Sequence, residues 1–108
     1  MPLFAVIGLD VPPHSMPLRE AHRTAHRDYV LARDQPIRLA GAMYDGHDNQ
    51  CGSLLILEAA DADSVRAWCE QEPFHSNGVY GQFVVVEWRP ALNRLQPMPD
   101  WLQTTGEA

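Results

Sequence analysis

The sequence predicts an α+β domain of the ferredoxin-like type, βαββαβ, with a four-stranded antiparallel sheet and two helices on one face. Three observations predict it. Four apolar, β-prone runs and two helical segments follow one another in the order β-α-β-β-α-β. The two middle runs are separated only by Asp45-Gly46-His47-Asp48-Asn49-Gln50, a polar stretch of turn residues that suits a hairpin. The chain has 108 residues, 45% hydrophobic and 20% charged, an ordinary balance for one globular domain.

Each element has its own signal. Leu3 to Leu9 reads as a strand and stops at Asp10-Val11-Pro12-Pro13, where two prolines remove ladder donors. Ser15 can cap the first helix, and Pro17 suits its first turn. Leu18, His22, Ala25, Tyr29 and Ala32 follow helical spacing, which carries the helix to about Arg33. Asp34-Gln35-Pro36 ends it, because a residue before proline avoids helical dihedrals. Ile37 to Tyr44 and Gly52 to Ala59 form the expected hairpin. Asp61 or Asp63 can cap the second helix, with Val65, Trp68 and Cys69 as its apolar face. Glu72-Pro73 interrupts that helix, and Phe74 to Gly78 reads as a turn or helical fragment. Tyr80 to Trp88, rich in valine and aromatics, is the last strand, ended by Pro90. Residues 1–90 thus form the domain, and 91–108 an extended tail that packs Leu95 and Trp101 on a neighbouring surface.

The strands carry a further signal. Leu54 and Ile56 point one way and Leu55 and Leu57 the other; Val84 and Val86 likewise oppose Phe83 and Val85. A sheet with one wet face alternates apolar and polar residues, whereas here both faces are apolar. The helices cover one face. A sheet from a second copy is the simple cover for the other, which predicts a homodimer.

Composition excludes several classes of function. The formal net charge of −6 argues against a nucleic-acid backbone as partner. All eight basic residues are arginine, so a lysine Schiff base is ruled out. No apolar run approaches membrane-spanning length. The first residues lack the basic stretch of a signal peptide, and Cys51 and Cys69, which lack metal spacing, read as reduced thiols. A soluble cytoplasmic protein is expected. There is no G-x-S-x-G, P-loop or G-x-G-x-x-G, so no cofactor is expected.

His26 is the first candidate for chemistry, since imidazole moves protons near neutral pH. Spacing alone favours a packed histidine over a base. His22 and His26 form H-x-x-x-H, but no third ligand is marked, and His14, His47 and His75 are scattered. No metal is expected. Glu72, stiffened by Pro73, can orient His26 and support its basicity. Asp10, at a strand end where loops gather, is the other carboxylate candidate. Arg23 and Arg38 can bind an anionic group, and Tyr29 shares a helix flank with His26.

Together these pieces resemble the YCII-related (YciI-like) family. The resemblance runs from Phe4 to about Pro90. It rests on Phe4-Ala5-Val6-Ile7-Gly8-Leu9-Asp10, Arg23-x-x-His26-x-x-Tyr29, Arg38-Leu39-Ala40-Gly41, Gly52-Ser53-Leu54-Leu55, Glu72-Pro73-Phe74 and Gly78-Val79-Tyr80. The resemblance implies a dimeric α/β barrel type of ferredoxin-like fold and a site centred on a histidine and an aspartate. His26 falls on the histidine, Glu72-Pro73-Phe74 on the family's Asp-Pro-Phe/Tyr motif, and Asp10 on the strand-one aspartate. Arg23, Tyr29, Arg38, Phe74 and Tyr80 are then the candidate substrate contacts. Two departures stand out: glutamate replaces the motif aspartate at Glu72, and Ala40-Gly41-Ala42 replaces Ala-Gly-Pro. Some members of the family are linked to dehydrochlorination of chlorinated aromatics. The expected function is cofactor-free proton transfer on a small molecule, an elimination or isomerisation, by His26 with Glu72 or Asp10. The alternative is a non-catalytic dimeric module that binds a small ligand or serves as an accessory subunit.

Overall fold

The computed structural model describes residues 1–12, 15–32 and 34–95. Its elements are β1 (Leu3–Asp10), α1 (Ser15–Leu31), β2 (Ile37–Tyr44), β3 (Gln50–Glu58), α2 (Ala62–Glu70), α3 (Pro73–Ser76) and β4 (Tyr80–Trp88). The four strands form one sheet in the order β2-β3-β1-β4, with every neighbouring pair antiparallel. This is the ferredoxin-like arrangement predicted from the element order. The β2–β3 hairpin is present, its loop tied by the Asp45 carboxylate, which accepts from the amides of His47 and Asn49. No described helix is long and apolar enough to cross a membrane.

Strand alternation divides the sheet into two faces. Phe4 and Val6 of β1 and Leu55 and Leu57 of β3 point to the helical side, where they form the core with Val65 and Cys69 of α2. Asp61 caps α2 by accepting from the Ser64 amide, as its sequence position suggests. On the other face, Leu9, Leu39, Leu54, Val84, Val86 and Trp88 are exposed. Cross-strand pairing places Ile7 beside Leu54 and Val84, and Ala5 beside Ile56 and Val86.

The first helix departs from the expected face. Its buried residues are Ser15, Arg19, His26 and Val30, whereas Ala25 and Ala32 are exposed and Leu18, His22 and Tyr29 are half-buried. The apolar stripe is therefore not the core stripe. Arg19 and His26 are turned inward because each meets a buried carboxylate there. Ser15 is itself the first helical residue rather than the residue before it. Helix α1 ends at Leu31, and Asp34, with φ of 70°, takes the left-handed backbone that breaks the chain away from it.

Strand β3 begins two residues earlier than the expected Gly52 and ends at Glu58. Beyond β4 the described tail residues lack regular structure, and Leu92 and Leu95 are exposed, so Leu95 does not pack as expected. Arg33, His14 and Trp101 lie outside the described residues.

Candidate active site

The site forms where the C-terminal end of β1 meets α1 and α3. Alternation along β1 puts Phe4 and Val6 in the core and brings Gly8 and Asp10 to the same face at the strand's end. An irregularity between Leu9 and Asp10 sets Asp10 opposite Tyr80, the first residue of β4. Gly8 pairs with Ser53 of β3 on one side and Phe83 of β4 on the other. Helix α1 lies over this end and contributes Arg19 and His26, two turns apart on one flank. Helix α3 closes the site with Phe74, which is fully buried.

Two buried polar pairs result. The first is His26 with Glu72: Oε1 of Glu72 meets Nδ1 of the imidazole, and both side chains are sealed from solvent. Glu72 is also the N-cap of α3. Its Oε1 accepts from the Phe74 amide at 3.1 Å and its Oε2 from the His75 amide at 3.3 Å. The carboxylate is thus fixed by backbone before it reaches the histidine. The second pair is Asp10 with Arg19, a two-pronged contact of 2.6 and 2.9 Å. Arg19 also donates to the Ser53 hydroxyl at 3.1 Å.

Phe74 joins the two pairs. The His26 ring stacks on it at 3.8 Å between centroids, nearly parallel at 5°. The Arg19 guanidinium carbon lies 5.0 Å from the same ring's centroid. Tyr80 meets Phe74 edge-on at 6.4 Å. Burial pushes the Tyr80 phenol well above its usual range, and the nearby Glu72 charge adds to the effect; Ser53 and Arg19 oppose it. Cys69, beside this region in α2, is pushed up to about 12 by burial and then by the Glu72 charge, so it stays a protonated thiol rather than a nucleophile.

The sequence left open which carboxylate meets His26, and the geometry answers it: Glu72 does, and Asp10 does not. Asp10 instead serves Arg19, a residue the sequence reading passed over. Spacing offered a signal, since Arg19 precedes His26 by two turns and a carboxylate at the end of β1 requires a counter-charge. Ser53 was also missed, although it lies within the Gly52-Ser53-Leu54-Leu55 motif. Phe74 and Tyr80 are brought to the site. Arg23, one turn before His26, is half-buried on α1.

Two expected contacts fall elsewhere. Tyr29 donates its hydroxyl to the Trp68 carbonyl at 2.8 Å and packs its ring on Trp68, so it ties α1 to α2. Arg38 pairs with Glu58 at the surface of the β2–β3 edge, where both can reach water. Among the described residues no group of three or more His, Cys, Asp or Glu side chains is placed to hold a metal ion.

A His-carboxylate pair with one imidazole nitrogen occupied leaves the other for chemistry. Nε2 of His26 is buried and has no hydrogen-bond partner among the described residues. A buried polar atom of this kind is costly unless something completes it.

Comparison with known proteins agrees with this architecture. The chain is similar to 5-chloro-2-hydroxyhydroquinone dehydrochlorinase (TftG) from Burkholderia phenoliruptrix AC1100, solved in complex with 2,5-dihydroxybenzoquinone. The two share 26% identity with a TM-score of 0.71, over 81% of this chain and 93% of that one. Two more distant structures share the fold alone. A candidate antibiotic biosynthesis monooxygenase from Bacteriodes thetaiotaomicron VPI-5482 has 11% identity and a TM-score of 0.55, over 87% of this chain and 92% of that one. Rv0793 from Mycobacterium tuberculosis has 9% identity and a TM-score of 0.55, over 87% of this chain and 99% of that one. No curated protein matches the chain. A model of the YCII-related domain matches residues 3–89, nearly the whole described fold, and the chain belongs to that family.

Proposed function

We propose that the protein is a small-molecule enzyme that catalyses elimination by proton transfer, with His26 as general base or acid and Glu72 as its positioning residue. One observation carries the reading: Glu72 holds Nδ1 of a fully buried His26 and leaves Nε2 for a further partner. A carboxylate on one nitrogen fixes the tautomer, so the other presents its lone pair. Phe74, stacked on the imidazole, holds the ring's plane. The same kind of pair also serves an isomerase.

The likeness to a dehydrochlorinase supports a hydroxylated, quinone-forming ring as substrate. On such a ring a hydroxyl proton moves to the chlorine-bearing carbon and gives the keto tautomer. His26 takes the proton of a second hydroxyl, that O–H pair becomes a carbonyl, the adjacent ring double bond shifts toward the protonated carbon, and chloride leaves it with its own bonding pair. HCl is lost and no oxidant enters the balance. The enzyme is proposed to work in the cytoplasm as a homodimer joined through the open sheet face.

The test is anaerobic incubation with 5-chloro-2-hydroxyhydroquinone, with chloride release followed against a protein-free control. Wild-type protein should accelerate release, and His26→Ala should lose roughly 10²- to 10⁴-fold of that rate. Equal release by the two proteins would sink the assignment of His26. A wild-type rate no faster than the control would sink the dehydrochlorinase reading.

A further inference from the structure

A second polar group in the site is built in a way that the His26–Glu72 pair does not explain. The Tyr80 hydroxyl is buried; the Ser53 hydroxyl, which already accepts from Arg19, lies close to it but makes no well-aligned hydrogen bond with it. The side chain that carries it has been given space at a specific place. A Cβ added at Gly8 would lie 2.7 to 2.8 Å from three atoms of the Tyr80 ring, closer than real side chains approach. Those atoms sit at the root of the ring, so no small rotation of its tip relieves the clash. Gly8 therefore lets the ring lie flat against β1. The Asp10–Tyr80 register and the edge-on contact with Phe74 hold it from two other sides.

We propose that Tyr80 is a neutral hydrogen-bond donor to a substrate oxygen that gains negative charge during proton transfer, and that Gly8 is the residue that positions it. The proposal rests on the reading of His26 given above and extends it to a second substrate contact. His26 addresses the oxygen or carbon that exchanges the proton, and Tyr80 addresses a different oxygen of the same conjugated ring. The substrate class is thereby narrowed to planar molecules with two oxygens conjugated to one another, such as hydroxylated quinones and enediols. A phenol is suited to the task here because it is a neutral donor at neutral pH, and burial beside Glu72 moves its ionisation still further from that range. Donors aimed at developing charge act strongly in a site closed to water.

A merely structural tyrosine and a ligand-facing one make opposite forecasts for Tyr80→Phe. The substitution keeps the ring and its seat on Gly8 and removes a buried hydroxyl whose one close polar neighbour among the described residues, the Ser53 hydroxyl, retains its bond from Arg19. The folded protein should hold or gain thermal stability. Binding should weaken at the same time. The probe is 2,5-dihydroxybenzoquinone, followed by its visible absorption and by calorimetry, with wild type, Tyr80→Phe, Gly8→Ala and His26→Ala. Wild type should bind, and Tyr80→Phe should bind roughly ten- to a hundred-fold more weakly with an undiminished Tm, the effect of losing a hydrogen bond to a charged oxygen. Gly8→Ala should show a comparable loss of binding, because it displaces the ring. Unchanged affinity in Tyr80→Phe, with binding lost in His26→Ala, would overturn the Tyr80 proposal and leave the reading of His26 standing. A fall in Tm in Tyr80→Phe without a change in affinity would also overturn it. Failure of wild type to bind the probe at millimolar concentration would overturn both.

Discussion

Asp10 and Glu72 are both carboxylates sealed inside the protein, yet they do different work. Glu72 accepts from two backbone amides and meets the imidazole; Asp10 spends both its oxygens on the Arg19 fork. A buried ion pair adds little net stability over an apolar pair of the same shape, but removing one partner leaves an uncompensated charge. Asp10→Asn should therefore cost about 3–5 kcal/mol of folding stability, the usual size for breaking such a pair. Urea unfolding of the two proteins checks this. The companion expectation concerns Arg19→Met combined with Asp10→Leu, which removes both charges and should recover much of the loss. A double variant less stable than either single one would show that the pair contributes more than mutual compensation. Among single residues, the sequence made His26, Glu72, Phe74 and Tyr80 legible, because each lies in a short motif. Arg19 was legible only through its two-turn spacing from His26 and the need of Asp10 for a counter-charge, because a lone arginine on a helix does not itself say that it is buried. The partners of Tyr29 and Arg38, the Trp68 carbonyl and Glu58, were not legible for a related reason: position in a sequence motif does not say which way a side chain's partner lies.

At the scale of elements, α1 and α3 hold the candidate site. Helix α1 was expected to bury its apolar stripe, and it buries a polar one instead, rotated toward Arg19 and His26. Periodicity cannot report such a rotation, since it counts apolar residues and these two are polar. Helix α3 spans only Pro73–Ser76, too short to hold itself, so it depends on its cap. Pro73 supplies a first-turn residue with preset backbone and no amide to satisfy. Glu72 then satisfies the next two amides, and its length explains why glutamate works here: one side chain spans the cap and still reaches His26. Glu72→Ala should lower stability by about 1–2 kcal/mol through the lost cap alone, with a further loss from the unpaired histidine. The specific signature is local. Amide hydrogen exchange at Phe74 and His75 should accelerate in Glu72→Ala more than at the β1 amides, and Glu72→Gln should keep most of that protection because its carbonyl oxygen still accepts. Equal protection of Phe74 and His75 in wild type and Glu72→Ala would mean that the cap does not hold α3.

At the scale of the whole molecule, the described helices all lie on one side of a sheet that is apolar on both. The strand alternation that made both faces legible in the sequence is what leaves Val84 and Val86 each 47% exposed and Trp88 41% exposed on the side away from the helices. Leu39 and Leu54 extend the same surface across the two strands beyond β1. Monomers rarely leave a contiguous apolar patch of this extent to water. A second copy offers an identical patch, and a two-fold axis lets each strand surface meet its equivalent, sheet against sheet. A stable interface of that kind removes on the order of 800 Å² from each partner. The protein should run at twice its monomer mass in light scattering at micromolar concentration. Val84→Glu should shift it to the monomer mass, because a carboxylate buried within an apolar sheet interface has no counter-charge there. The helical side is not touched by that change, so the His26 site gives a second reading of it. If Val84→Glu leaves a folded monomer that still binds 2,5-dihydroxybenzoquinone, each subunit carries a complete site. If binding is lost together with the dimer, the partner shapes the site as well. Wild-type protein that stays monomeric throughout the micromolar range would exclude the sheet-face dimer altogether.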